Sequence, residues 1–237
     1  MPKRFIENLR RYGDLSGEEQ EGLAATFAAV RNVESGGDVA VEGDRPTHCH
    51  VLLEGQTFRH RTLEDGRRQI MSFQVRGDLC DLQGAFLPMD NSVTALTRCQ
   101  VAVIPHARLA EVMQSRPGVA QALWRASLAE AAVFREWMVG MGRRTAYARI
   151  AHFFCEIFMR QSAAGLVQQD RCRFPITQQH LSDSLGLSMV HTNRTLQALR
   201  ADGLLSFQGG MLTIRDWNGL KAAGEFDPRY LHLDLAA

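Results

Sequence analysis

The sequence predicts an α+β chain in three parts: an N-terminal β-roll, a long central helix and a C-terminal winged helix-turn-helix. Three observations carry this reading. Residues 36–104 are punctuated by glycines beside charged residues, at Gly36-Gly37-Asp38, Glu42-Gly43-Asp44, Glu54-Gly55, Asp65-Gly66-Arg67 and Gly77-Asp78, as short strands joined by tight turns require. No proline falls between Pro117 and Pro175, and the stretch is rich in the strong helix formers Ala, Leu, Glu, Arg and Met. From Thr177 to Ile214, two short segments with apolar residues at helical spacing precede a strand pair folded about Gly209-Gly210. The expected boundaries are 1–116 for the β-roll, 117–143 for the central helix with its hinge, and 144–237 for the winged helix-turn-helix.

Taken in chain order, Ser16 followed by Glu19 forms a capping box that opens a helix carrying Leu23, Phe27 and Val30. The strands come next, through Val51-Leu52-Leu53, Met71-Ser72-Phe73-Gln74-Val75 and Val101-Ala102-Val103-Ile104. A helix from about 118 to 140 has two apolar stripes: Trp124, Leu128, Ala131, Met138 and Met141 on one, and Val119, Leu123, Ala126, Val133 and Trp137 on its neighbour. Two stripes suit a helix that packs on the β-roll with one face and on a second copy of itself with the other; one wide intrachain core face is the alternative. Gly140 and Gly142, followed by Arg143-Arg144, mark the expected hinge.

A further helix, about 145–161, places Ile150, Phe153, Phe154, Ile157 and Phe158 on one face. Thr177 then caps a short helix with Leu181 and Leu185 inward, Gly186 supplies a turn, Leu187 fills the gap and Ser188 caps the next helix, which runs through Leu196 and Leu199 to Asp202-Gly203. Leu204-Leu205-Ser206-Phe207 and Met211-Leu212-Thr213-Ile214 form the hairpin behind it.

Composition narrows the class. Hydrophobic content is 45% with 22% charged residues, ordinary for a globular chain, and no apolar run approaches the ~18 residues a membrane-spanning helix needs. The first residues do not read as a signal peptide, so a cytoplasmic location without membrane association is expected. The five cysteines include no CxxC pair, which disfavours a disulfide framework or a zinc knuckle. Net charge is +1, and from Arg144 onward ten Lys and Arg stand against eight Asp and Glu, so any contact with nucleic acid must come from a local patch.

Thr177-Gln178-Gln179-His180-Leu181, Leu185-Gly186-Leu187-Ser188 and Asn193-Arg194-Thr195-Leu196 resemble the C-terminal motif of the CRP/FNR family. The glycine-punctuated β-roll and the central helix match that family in order and spacing, from about residue 15 to 215. The resemblance implies a cyclic-nucleotide-binding-like sensor domain and a homodimer, for which the first stripe of the central helix supplies the expected seam, Trp124, Leu128, Ala131 and Met138. It also implies a palindromic double-stranded DNA operator and contact with RNA polymerase. In the family, the exposed N-terminal half of the second helix enters the major groove, which here presents Met189, Val190, His191, Asn193 and Arg194. A guanidinium at Arg194 suits guanine, whose O6 and N7 accept two parallel bonds. The family's usual glutamate falls on Val190, which cannot accept a hydrogen bond from cytosine, so the operator is expected to differ from the common half-site. Gln178, Gln179, Ser188, Thr192 and Arg200 are candidate phosphate or support positions, with an inward orientation the alternative for Thr192.

For the effector, Gly77-Asp78-Leu79 resembles the start of the family's nucleotide cassette, with Cys80 adjoining, and Ser92 resembles its later part. The cassette arginine is missing, since no Lys or Arg occurs between Arg76 and Arg98, and an anionic cyclic phosphate would be buried without its charge partner. Cyclic AMP is therefore disfavoured. No cysteine precedes Cys49, which excludes the iron–sulfur members. Cys80 as a haem ligand or redox thiol, and His48 with His50 as a metal pair, are weaker readings than a buried thiol and surface histidines. No cofactor or metal is expected. No nucleophile–base set or phosphate loop appears, so an enzyme is not expected; a ligand-binding signalling module that does not bind DNA is the competing class.

Overall fold

The computed structural model describes residues 3–233, and their contacts divide into two compact units, one running to residue 131 and the other spanning 132–232. In the first unit, α1 (Lys3–Arg10) buries Phe5, Ile6 and Leu9. The Ser16 capping box forms as expected at the start of α2 (Gly17–Ala25): Ser16 Oγ accepts from the Glu19 amide at 3.2 Å, and Glu19 Oε2 accepts from the Ser16 amide at 2.9 Å. The helix is shorter than its apolar spacing suggests. Thr26 Oγ1 donates to the Leu23 carbonyl at 2.7 Å and ends it, so Phe27 packs on the core from outside the helix and Val30 lies exposed in a strand.

That strand is β1 (Ala29–Val33). It is followed by β2 (Asp38–Ala40), β3 (His48–Glu54), β4 (Thr57–Thr62), β5 (Arg68–Gln74), a 3₁₀ turn at Leu82–Ala85, β6 (Ser92–Ala95) and β7 (Cys99–Pro105). Two antiparallel sheets, ordered β1-β7-β3 and β2-β6-β4-β5, form the β-roll. Strands β3 and β7 bury consecutive residues, Cys49 to Leu52 on β3 and Val101 with Ala102 on β7, because both faces of their sheet are covered. Cys49, Val51, Ala102 and Ile104 join a cluster with Leu23, Val119 and Leu123 of the flanking helices. The alternating residues Leu52, Cys99 and Val101 enter a second cluster inside the roll, with Val93 and Met89.

After α3 (His106–Ser115), α4 (Pro117–Arg143) opens at Pro117, where a missing amide costs nothing. Its division between the two units follows its burial pattern: Val119, Ala122 and Leu123 pack into the first unit, while Trp137 meets Phe153 of the second edge-to-face with centroids 5.7 Å apart. The expected hinge glycines do not break the helix. Gly140 and Gly142 lie inside α4, and the chain leaves it only at Arg144 before Thr145 caps the next helix.

The second unit is built on α5 (Ala146–Ala163), whose Ile150, Phe153, Phe154 and Ile157 are buried while Phe158 sits at the edge against Trp217. There follow β8 (Val167–Gln168), β9 (Arg171–Arg173), α6 (Gln178–Leu185), α7 (Met189–Ala201), β10 (Leu205–Gln208), β11 (Met211–Ile214), α8 (Trp217–Ala223) and a 3₁₀ turn at Pro228–Leu231. The wing is wider than a hairpin, a four-stranded sheet ordered β10-β11-β9-β8. Its central turn is the two-residue kind with both residues at positive φ, +57° at Gly209 and +73° at Gly210, matching the strand twist as only glycine does readily. Behind α5, buried Glu156 accepts from Trp137 Nε1 at 2.9 Å and Tyr230 Oη at 2.8 Å, and His152 Nδ1 donates to the Gly224 carbonyl at 3.0 Å. Burial pushes the His152 imidazole down to about 4 and the Glu156 carboxyl above its usual range.

Candidate nucleic-acid interface

Helices α6 and α7 are set by local chemistry. Thr177 Oγ1 accepts from the His180 amide at 3.1 Å while His180 Nδ1 accepts from the Thr177 amide at 3.2 Å, so a histidine completes the capping box in place of a glutamate. Gly186 ends α6 in the left-handed conformation at φ +62°, and Ser188 Oγ accepts from the His191 amide at 3.2 Å to start α7. Leu181, Leu185, Leu196 and Leu199 fill the interior. Thr192 faces inward, fully buried, with its hydroxyl 3.0 Å from that of Ser182.

The opposite face of α7 is open. Val190 is 80% exposed, Met189, Asn193 and Arg194 are exposed, and His191 is half-buried. Gln178, Met189, Val190, Asn193, Arg194 and Gln197 line a broad depression of about 590 Å³. Gln178 Oε1 accepts from Asn193 Nδ2 at 3.1 Å and holds the two helices' polar groups together. Gln179 Nε2 donates to Asp183 Oδ1 at 2.6 Å. Arg194 has no hydrogen-bond or ion-pair partner among the described residues, which leaves its five donors available. Arg200 differs: it is half-buried and Nη2 donates to the Phe207 carbonyl, so of its two expected roles the geometry favours support of the wing over phosphate contact.

Far upstream of these helices, between Gly77 and Ser92, lies the other set of expected site residues, all engaged by the β-roll itself. Gly77, at φ +95°, donates its amide to the Leu52 carbonyl at 2.7 Å. Asp78 Oδ2 accepts from the Val75 amide at 2.9 Å, Leu79 bridges to Val51, and Ser92 Oγ accepts from the Glu42 amide at 3.0 Å. Cys80 is fully buried, and burial together with Asp81 and Asp78 pushes its thiol well up, so it is a neutral core thiol rather than a reactive one. His50 is buried rather than on the surface, with Nδ1 2.7 Å from Asp81 Oδ2; His48 is exposed, and no three metal-binding side chains converge among the described residues. A cation does reach the cassette loop, from outside it. Arg59 of β4, whose side chain is 8% exposed, donates to the Cys80 carbonyl at 2.8 Å and pairs with Glu130 of α4 at 3.1 Å.

Comparison with known proteins now decides the family. The chain is 30% identical over 182 residues to the transcriptional activator protein FnrL of Cereibacter sphaeroides, covering 76% of this chain and 73% of that one. It belongs to the CRP/FNR family of transcription regulators. Residues 148–223 match the Crp-like helix-turn-helix domain and residues 30–116 the cyclic nucleotide-binding domain. The nitrogen fixation regulation protein FixK of Bradyrhizobium diazoefficiens is likewise 30% identical, over 77% of this chain and 76% of that protein. The solved structure of FixK2 from Bradyrhizobium japonicum shares the fold, with a TM-score of 0.76 at 24% identity over 83% of this chain and 96% of that one. The expected fold class is thus the observed one. As a member of this family the chain is a DNA-binding transcription regulator, and no helix among its described residues is long and apolar enough to cross a membrane.

Two sets of exposed residues near this surface were not singled out from sequence. Gln197 belongs to the α7 face, and its signal was available as the position one turn beyond Arg194. Arg171 and Arg173 are exposed on β9, beside the wing hairpin, where a three-residue strand leaves no period to read.

Proposed function

We propose that this CRP/FNR regulator binds a palindromic operator as a homodimer, through residues 144–237, under control of an N-terminal sensor domain spanning 1–116. The central segment 117–143 supplies the dimer seam. The observation that carries the reading is the outer face of α7, where Arg194, without a partner of its own, stands beside the Asn193–Gln178 pair. Val190, His191, Asn193 and Arg194 face the bases, with Met189 at their edge toward α6, Gln178, Gln179 and Ser188 near the backbone and Arg200 bracing the wing. Dimerisation is supported by α4: Trp124 is 71%, Leu128 53% and Met138 68% exposed, with Ala131 half-buried. Their spacing of four, three and seven residues is the heptad seam of a two-stranded coiled coil. RNA polymerase is the protein partner and the cytoplasm the compartment; no cofactor is invoked. The sensor's effector, if it sits at Gly77, Asp78, Leu79, Cys80 and Ser92, must displace bonds those residues already make.

Selection of bound sequences from a random duplex pool tests this. The wild type should recover a two-fold symmetric site with a guanine in each half, and Arg194→Ala should lose preference at that guanine. Recovery of no symmetric site, or of the same site by both proteins at equal affinity, contradicts the assignment.

A further inference from the structure

Val190 is the most exposed large apolar side chain among the described residues, at 80%, and it sits in the first turn of α7 four residues before Arg194. That spacing puts both side chains on one helix face, in the same depression. Its neighbour Met189 is turned back toward α6, with Sδ accepting from Ser182 Oγ at 3.4 Å, which leaves Val190 as the forward apolar group. A valine offers the major groove only methyl groups, and among the base edges displayed there the one apolar feature is the C5 methyl of thymine. We infer that Val190 is a specificity-determining residue of this regulator, reading one thymine methyl in each half-site, in the position where the family's glutamate reads cytosine.

The inference rests on the DNA-binding reading above and adds the identity of a second base. One helical turn advances about 5.4 Å and one base pair about 3.4 Å, so the thymine lies about one or two base pairs from the guanine taken by Arg194. The preference has a sign that hydrogen bonding would not give: it follows the methyl group rather than the Watson–Crick identity of the pair.

The test uses full-length protein and the operator recovered by selection. Each thymine of a half-site is replaced singly by deoxyuridine, which removes the methyl and leaves pairing unchanged. One position should lose about fourfold in affinity with wild type, the equivalent of one buried methyl, and nothing with Val190→Ala. Val190→Glu should move the selected base at that position from thymine to cytosine. Because the side chain is exposed, both variants should melt as wild type does, and a thermal scan checks that they are folded. If every uracil substitution is neutral for wild type, or if Val190→Ala shows the same loss at the same thymine, the inference is overturned while the DNA-binding reading stands. Failure to select any two-fold site overturns both.

Discussion

The outer face of α7 and the interior of the β-roll contain the same kinds of side chain, arginine and amide, in opposite states. On α7, Arg194 and the edges of Asn193 and Gln178 face an open depression. In the β-roll, Arg59 is held by Glu130 and the Cys80 carbonyl, Thr57 Oγ1 donates to Gln74 Oε1 at 2.9 Å, and Gln74 Nε2 donates to Ser72 Oγ at 2.7 Å. The difference separates a surface prepared for an external polar partner from an interior that has supplied its own. A ligand entering the roll competes with existing bonds, whereas DNA meeting Arg194 competes only with water and elsewhere on α7 with the single Asn193–Gln178 bond.

This contrast predicts that changes on exposed faces alter binding and spare stability, while changes inside do the reverse. The largest effect is expected at the α4 stripe. Trp124→Glu or Leu128→Glu should convert a dimer into monomers by sedimentation and lower operator affinity about a hundredfold or more, because the second half-site loses its local concentration. A monomeric wild type at micromolar concentration, or variants that stay dimeric, would break the proposed seam.

Next in size is a pH effect on the second unit. His152 is held neutral, near 4 against an ordinary value of about 6.5, so the unfolded chain binds its proton first as pH falls. Stability contributed by the neutral imidazole is complete above about pH 6.5 and lost toward pH 4, by about 2–3 kcal/mol. Raised Glu156 works in the other direction, so the quantity to measure is the difference in urea stability between wild type and His152→Gln across that range. A difference that does not vary with pH contradicts the assignment.

Inside the β-roll, Arg59→Met should cost about 2 kcal/mol in urea unfolding, less than a fully buried ion pair because Glu130 is partly solvated. It should leave the selected operator unchanged. Arg200→Ala should be smaller, about 1–2 kcal/mol of stability for one charged donor to Phe207, with no change in the salt dependence of DNA binding. A salt slope flatter by about one unit would instead return Arg200 to the phosphate backbone.

How much of this was legible in the sequence depends on how far apart the interacting residues lie. The helix-turn-helix was readable because Thr177, Gly186 and Ser188 act within three or four residues of themselves, and the wing because two adjacent glycines specify one turn. Local signals failed where tertiary pairing took over. Val30 continues the helical spacing of Leu23 and Phe27, yet its backbone pairs with Ala102 of β7, 72 positions later. Gly140 and Gly142 suggested a break in the helix, but α4 runs through both to Arg143. The cassette lacks a cation in its own segment of chain; Arg59 arrives from β4. Its partner, Glu130, is 71 residues away, beyond any periodicity. The eight-residue α1 was missed since four charges hide its three buried apolar positions.

The central claim is that Arg194 reads a base directly, and a double-mutant cycle tests it most directly. Affinities are measured for wild type and Arg194→Ala, each on the selected operator and on one with the assigned guanine changed to adenine in both halves. Each single change should weaken binding by about 1–3 kcal/mol per half-site, and once either is made the other should cost little, because both remove the same pair of hydrogen bonds. Strictly additive losses would mean that Arg194 and that guanine do not touch.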